Sequence, residues 1–283
     1  MPTPVLSVLN MKGGVGKTTV SAHVMRALYQ RMRKRVLLVD LDAQFNLTQS
    51  VMTQDDYDDL EEINTVKSCF EPLPSDDFFQ IRRSDAPPPP ASSIRYRLRR
   101  MGRRHNAHLD LIPGSFELMK FSMIDDPNQL SHASHYLRRF LSQARKEYDL
   151  VVLDCNPSTS FVTKCSLENS THVLSPVRPD KFSVLGVGMV DKLFDHLDLE
   201  ITHMILVNGV SRTAAMTAVE QELRAHPTFG PKVLVNRLVL SKYLSADPSY
   251  TGFATDKGGP YSSVLRSEIG KIAQELSNHL GLE

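Results

Sequence analysis

The 283-residue chain is long for one compact domain but within reach of a single α/β unit, and it can bury a sizeable core. Hydrophobic residues make up 41% and charged residues 23%, as in ordinary soluble globular proteins, and a net charge of +1 excludes a global field that recruits nucleic acid or membrane; such binding needs a local patch. Three cysteines without framework spacing, no signal-like N-terminal segment and no bilayer-length apolar run lead us to expect a soluble protein of the reducing cytoplasm, with no membrane partner.

Pro4 to Leu9 (PVLSVL) is an apolar run of strand length, and Val20, Val24, Leu28 and Met32 follow at helical spacing. Between them lies NMKGGVGKTT, residues 10 to 19. A glycine-rich turn joining a buried strand to a helix start aims backbone N–H groups and the positive end of the helix dipole at one spot, which suits a polyphosphate. Gly13, Gly14, Val15, Gly16, Lys17, Thr18 and Thr19 form the predicted cradle. Within it Lys17 reaches the β- and γ-phosphates and Thr18 gives its hydroxyl to Mg²⁺. The usual pattern wants a glycine where this chain has Met11, and it adds a second cation, Lys12. Lys12 cannot easily fold back onto phosphates held by its own loop, whereas the same lysine of a facing subunit could reach them and neutralise charge on the transferred phosphoryl. The plainer alternative is a solvated side chain on a basic loop.

Arg31, Arg33, Lys34 and Arg35 follow the first helix, where cations suit the dipole. Val36 to Val39 reads as a parallel strand buried on both faces and runs into Asp40-Leu41-Asp42, at the strand end where open α/β sheets bind ligands. KGGVGKTT and VLLVDLDAQFNLT (36–48) together resemble the ParA/MinD family of dimeric ATPases with a deviant phosphate loop, whose mark is the first lysine. Further matches run to about residue 250. The resemblance implies ATP and Mg²⁺, with Asp40 near the metal shell and Asp42 orienting the attacking water. Ala43 and Phe45 depart from the family's frequent proline and glycine, which leaves the conformation of this loop open.

Residues 50 to 107 break the pattern. An acidic run (Asp55, Asp56, Asp58, Asp59, Glu61, Glu62) precedes a proline tract, Pro87 to Pro90, and then Arg95, Arg97, Arg99, Arg100, Arg103 and Arg104. The segment reads as a partly flexible insertion in a single domain spanning 1–283. Its arginines could grip DNA phosphates, or pair with the upstream acids, or stay solvated.

Strand-like runs resume at His108 to Ile112, at Asp149 to Asp154 and at His172 to Val177; Leu130 to Arg145 has helical spacing. Asp154 has the form expected of a second acid near Mg²⁺, acting through water. Cys155 beside it reads as a small residue in a tight site, because no local histidine is placed to activate it. PVRPDKFSVLGVGMV (176–190) resembles the family's proline turn into a long helix, and Thr202 to Val207 ends at Asn208, to which the resemblance gives the adenine edge. Arg212 matches a DNA-contacting arginine of the partition branch; Arg237 and Lys242 stand near the place of a second, which does not match cleanly. Ser262 to Leu280 is an amphipathic helix with mixed charge on its polar face.

Strands alternating with helical stretches predict a mostly parallel sheet with helices on both faces. The resemblance implies an ATP-dependent homodimer that binds DNA without sequence preference and hydrolyses ATP slowly under a stimulating ParB-like adaptor, so positioning a plasmid, chromosome or protein cargo. The competing reading is an ATP-controlled scaffold that docks a protein through the insertion, with no DNA role.

Overall fold

The computed structural model describes residues 2–60, 64–72, 77, 79–102, 105–212, 215–244, 252–259 and 262–282. Eight strands form one sheet: β1 (Val5–Val8), β2 (Arg35–Leu41), β3 (Tyr96–Arg100), β4 (His108–Ile112), β5 (Leu150–Cys155), β6 (His172–Val177), β7 (Thr202–Val210) and β8 (Leu238–Val239). Their order is β3-β4-β2-β5-β1-β6-β7-β8, and every pairing is parallel except β3 with β4. The central strands are apolar on both faces, as parallel strands covered by helices must be. Leu6 and Val8 of β1 with Val36 and Leu38 of β2 enter one core, while Val5, Leu37 and Val39 enter the other.

Helices cover both faces. A continuous helical run after β1 comprises α1 (Lys17–Thr19), a π-helical turn at Val20–Val24 and α2 (Met25–Met32). The short helices α3 (Asn46–Val51), α4 (Gln54–Asp58) and α5 (Ala91–Ile94) precede α6 (Pro127–Glu147), α7 (Phe161–Glu168), α8 (Lys181–Leu197), α9 (Ala218–Ala225) and α10 (Ser262–Leu280). The α10 stripe of Leu265, Ile269, Ile272, Leu276 and Leu280 shares a core with Val20, Val24 and Leu28, so the last helix seals the one after the phosphate loop. Asp126, Ser160 and Asp180 cap α6, α7 and α8 by accepting from backbone N–H groups of the first turn. Among the described residues no helix is long and apolar enough to cross a membrane.

The described part of 50–107 is built into the fold. β3 extends the sheet as its antiparallel edge. The carboxylate of Glu147 caps α5 through the N–H groups of Ala91 and Ser92, and the buried pair Lys120–Glu71, 2.5 Å apart, ties the 3₁₀ turn at Val66–Cys69 to the body. Among the described residues these arginines do not pair with the upstream acids. Arg95 and Arg97 meet Asp110 on β4 at 3.1 and 2.5 Å, and Arg99 meets Asp256 at 3.0 Å. Asp110 is fully buried and also accepts from the Tyr148 hydroxyl at 2.7 Å, so the two guanidiniums neutralise a charge that burial would otherwise make costly. Arg103, Arg104, Glu61 and Glu62 lie outside the described residues.

Candidate nucleotide site

The loop after β1 wraps the entrance to a cavity of about 690 Å³, a size that holds a nucleotide. Gly13, Gly14, Gly16, Lys17, Thr18 and Thr19 line it, facing Asp42, Gln44 and Asn156 on one side and Asn208 and Leu240 on another. Val15, the remaining loop residue, is fully buried, and its carbonyl accepts from Asn208 Nδ2 at 2.7 Å. Gly16 has φ 95°, and a Cβ there would stand 2.1 Å from Asn208 Nδ2; only glycine lets the loop and the end of β7 touch. The contact ties the two halves of the cavity together.

Lys17 is 8% exposed, and among the described residues its ammonium reaches only the carbonyls of Asn10 and Lys12, both at the long distance of 3.4 Å. Burial lowers its pKa, opposed by the nearby charges of Asp154 and Asp42. A buried ammonium with two long contacts, at the wall of a cavity ringed by glycine N–H groups, is under-satisfied in the way a phosphate group corrects. Thr18 Oγ1 donates to Asp154 Oδ2 at 3.0 Å and Ser21 Oγ to Asp154 Oδ1 at 2.7 Å. Asp154 therefore sits directly behind Thr18. Among the described residues no cluster of three or more histidine, cysteine or acidic side chains is placed to hold a metal. Mg²⁺ keeps its waters and takes one or two protein ligands together with phosphate oxygens. Thr18 and, through it, Asp154 are the residues that fit.

Asp40 is fully buried, beside Asp154 in the parallel register of β2 and β5. Its Oδ2 accepts from Thr48 N and Thr48 Oγ1 at 2.9 and 2.8 Å, and Thr48 Oγ1 in turn accepts from Gly114 N. Burial, then the neighbouring Asp154, push Asp40 up to about 8; burial pushes Asp154 up to about 6 against hydrogen bonds from Ser21 and Thr18. Two adjacent buried carboxylates resist carrying two charges. Asp42, just beyond the strand, is held at the cavity wall by Asn156 Nδ2 and Gln44 N, each donating to Oδ1 at 2.9 Å. Phe45 adopts the left-handed conformation, φ 39° and ψ 40°, which glycine would take freely; its ring stacks on Tyr57 at 5.4 Å, offsetting that strain. A Cβ on Gly114 would come within 2.6 Å of Phe45 Cβ and 2.9 Å of Asp40 Cγ, so the Asp42 loop leans on a glycine.

Lys12 stands apart from this cradle. Its ammonium pairs with Asp180 Oδ1 at 2.9 Å and lies 5.4 Å from the Phe182 ring. Burial would raise the Asp180 pKa, but hydrogen bonds from Lys12 and Ser183 outweigh it and bring it to about 2. Asn10, fully buried, fixes the backbone beneath: its Nδ2 donates to Pro176 O at 2.9 Å and its Oδ1 accepts from Lys12 N at 3.0 Å. Cys155 is buried, and burial pushes its thiol up to about 12, as expected of an inert packing residue. Arg212 pairs with Glu268 of α10 at 3.2 Å, Arg237 with the buried Glu220 at 3.2 Å, and Lys242 lies over the Tyr243 ring at 5.4 Å. Asn10, Asn156 and Asp180 are not evident from sequence as site residues; the one signal is that each lies one to three residues past the end of a strand.

A strand, a glycine loop and a helix carrying Lys17 and Thr18, closed by acids at the ends of β2 and β5, define a P-loop nucleotide-binding protein. The family model AAA_31, described as an AAA domain, matches residues 3–206, and the chain belongs to that family as a ParA-like P-loop ATPase. It is 32% identical over 187 residues to the virulence plasmid ParA family protein pGP5-D of Chlamydia psittaci, covering 65% of this chain and 61% of that one. It is 27% identical over 253 residues to the sporulation initiation inhibitor protein Soj of Bacillus subtilis, covering 87% and 88%. The stretch matched in a Sinorhizobium fredii relative, 33% identical, is 42% of that protein, so the chain spans about half the length of some curated relatives. The solved structure of pNOB8 ParA superposes with a TM-score of 0.69 at 21% identity over 98% of both chains, and a second structure of that protein, bound to nonspecific DNA, with 0.62 at 20% over 99% of both.

Proposed function

We propose that this chain is an ATP-dependent dimerising switch that hydrolyses ATP slowly, binds DNA without sequence preference in its ATP form and positions a cargo with the help of a stimulating adaptor. One observation carries the reading: the loop holds two lysines with different places, Lys17 buried against the cavity and Lys12 outside it on a half-exposed carboxylate. Lys17 and the loop N–H groups bind the phosphates, and the Thr18 hydroxyl, backed by Asp154, meets Mg²⁺. Magnesium, when bound, neutralises charge on the β- and γ-phosphates. Asp42, clamped by Asn156, orients the attacking water. Lys12 leaves Asp180 and reaches the nucleotide of a second copy. Phe182, Leu185 and Met189, 72%, 64% and 52% exposed along α8 beside Lys12, supply the apolar surface on which the copies meet.

The DNA role rests on family membership and on the neighbour bound to nonspecific DNA. The pairing of Arg95 and Arg97 with Asp110 and of Arg99 with Asp256 favours the second reading, an ATP-controlled protein scaffold, because it neutralises part of the basic patch. Oligomeric state and retention of random-sequence DNA, measured with ATP, ADP and no nucleotide, separate the two. Dimers that hold DNA only with ATP, and lose it as salt rises, support the switch; ATP dimers that ignore DNA leave the scaffold. Lys12→Ala is expected to keep ATP affinity and lose turnover by roughly a thousandfold, and wild-type turnover in this variant would refute the exchange of lysines.

A further inference from the structure

We propose that Arg178 is a nucleotide-contacting residue, its guanidinium lying over the base that Asn208 meets edge-on. The inference rests on the nucleotide reading and adds a residue which neither the loop motif nor the metal-side acids suggest.

The walls of the cavity divide by chemistry. Loop N–H groups and Lys17 form one wall, Asp42, Gln44 and Asn156 a second, and Arg178, Asn208, Gly209, Val239, Leu240 and Leu244 a third. Apart from one amide, one cation and the Ser241 hydroxyl, the third wall is apolar. A purine suits that combination, since it offers two π-faces for a guanidinium or apolar side chain and a polar rim for an amide. Asn208 Nδ2 donates one of its two N–H groups to Val15 O, which fixes the amide and leaves its Oδ1 and second N–H for the base edge.

Arg178 is the uncommitted cation here. Lys12 is paired with Asp180, and Lys17 is directed at two carbonyls. The exposed guanidinium of Arg178 has no hydrogen bond or ion pair among the described residues. Its backbone is nevertheless well fixed: β6 ends at Val177, and Pro179 follows with its constrained φ. Its stem lies along Gly209, the residue after Asn208; a Cβ built on Gly209 would stand 3.5 Å from both Cγ and Nε of Arg178, ordinary packing distance. The planar head is thereby carried to the Asn208 side of the cavity, with no partner among the described residues. Guanidinium planes stack on nucleobases and gain from the attraction between a cation and a π-face.

The test measures equilibrium affinities of the full chain for ADP, for ATP and for inorganic tripolyphosphate, which has no base. Arg178→Ala is expected to weaken ADP and ATP by the same factor, about tenfold, and to leave tripolyphosphate unchanged. Arg178→Lys should recover only part of the loss, because an ammonium lacks the flat face. Unchanged ADP affinity in Arg178→Ala would make this a solvated surface arginine and overturn the proposal. Equal losses for ADP and tripolyphosphate would mean a grip on phosphate and overturn it too. A wild-type chain that binds neither ADP nor ATP would sink the nucleotide reading before any variant is made, so the two failures are distinguishable. Arg178→Gln, isolated with an unchanged melting temperature, guards against loss of fold.

Discussion

His23 lies in the π-helical turn behind the phosphate loop, lines the cavity and is 2% exposed. Its Nδ1 accepts from Ala254 N at 3.2 Å, so the ring is neutral, with its proton on Nε2. Burial, reinforced by the charge of Lys257 and opposed by Asp256, lowers its pKa from 6.5 to about 4. Between those values the unfolded chain binds the proton more tightly than the folded one. His23 therefore contributes stability that is fully present above pH 6.5 and is lost as pH falls through about 4. A displacement of that size corresponds to about 3 kcal/mol at most. Replacing His23 by Asn keeps an acceptor for Ala254 N and removes the titration. The assay is denaturant unfolding of both proteins at a series of pH values from 7.5 to about 4.5, read as the difference in unfolding free energy. Asp40 and Asp154 titrate in the opposite sense, losing stability as pH rises, but they are common to both proteins and cancel in the difference. Wild type should lose roughly 2–3 kcal/mol relative to the variant across the range. A difference that does not change with pH would refute the assignment of a buried neutral imidazole.

Two further outcomes follow from the acid side of the cavity. Gly114→Ala places a methyl group against Phe45 and Asp40, so it should cost about 1–3 kcal/mol in thermal or denaturant unfolding and slow hydrolysis while leaving ADP affinity intact; unchanged stability and turnover would remove Gly114 from the support of the Asp42 loop. Asn156→Ala frees the Asp42 carboxylate, and turnover should fall about tenfold while ATP-bound dimers persist longer on size exclusion; unaltered single-turnover rates would count against the clamp.

The central strands and the phosphate loop were legible because their signals are local: runs such as VVLD, glycines at fixed spacing and a helical repeat behind them. α10 and β4 fall where periodicity alone put them. The arginine stretch was not legible, for a physical reason. YRLRR reads as a charge run, yet alternation buries Leu98 on one face and turns Arg95 and Arg97 to Asp110 on the neighbouring strand, a partner that only folding supplies. Asn156 and Asp180 were missed likewise, because a clamp is defined by what lies across the cavity. Phe45 shows the converse case: the departure from glycine was visible, but the compensating stack on Tyr57 was not.

The contrast between the two ends of Lys12 bears on how it could serve another copy. Its backbone is fixed: Asn10 joins Lys12 N to the end of β6 and, through Ser183 O at 3.4 Å, to the first turn of α8, while a Cβ on Gly186 would stand 2.1 Å from Asn10 Oδ1. Movement of the loop's first half without α8 would break that buried amide network, whose unsatisfied groups would cost about 1–3 kcal/mol each. Its ammonium is held by one ion pair whose side chains are 36% and 38% exposed and by the exposed Phe182 ring at 5.4 Å, each worth at most about 1 kcal/mol. Swinging the head away from Asp180 is therefore cheap, whereas displacing its base is not. A stiff base with a lightly held head keeps the charge beside the phosphate loop but outside its own cavity, where a second triphosphate would outbid a single carboxylate.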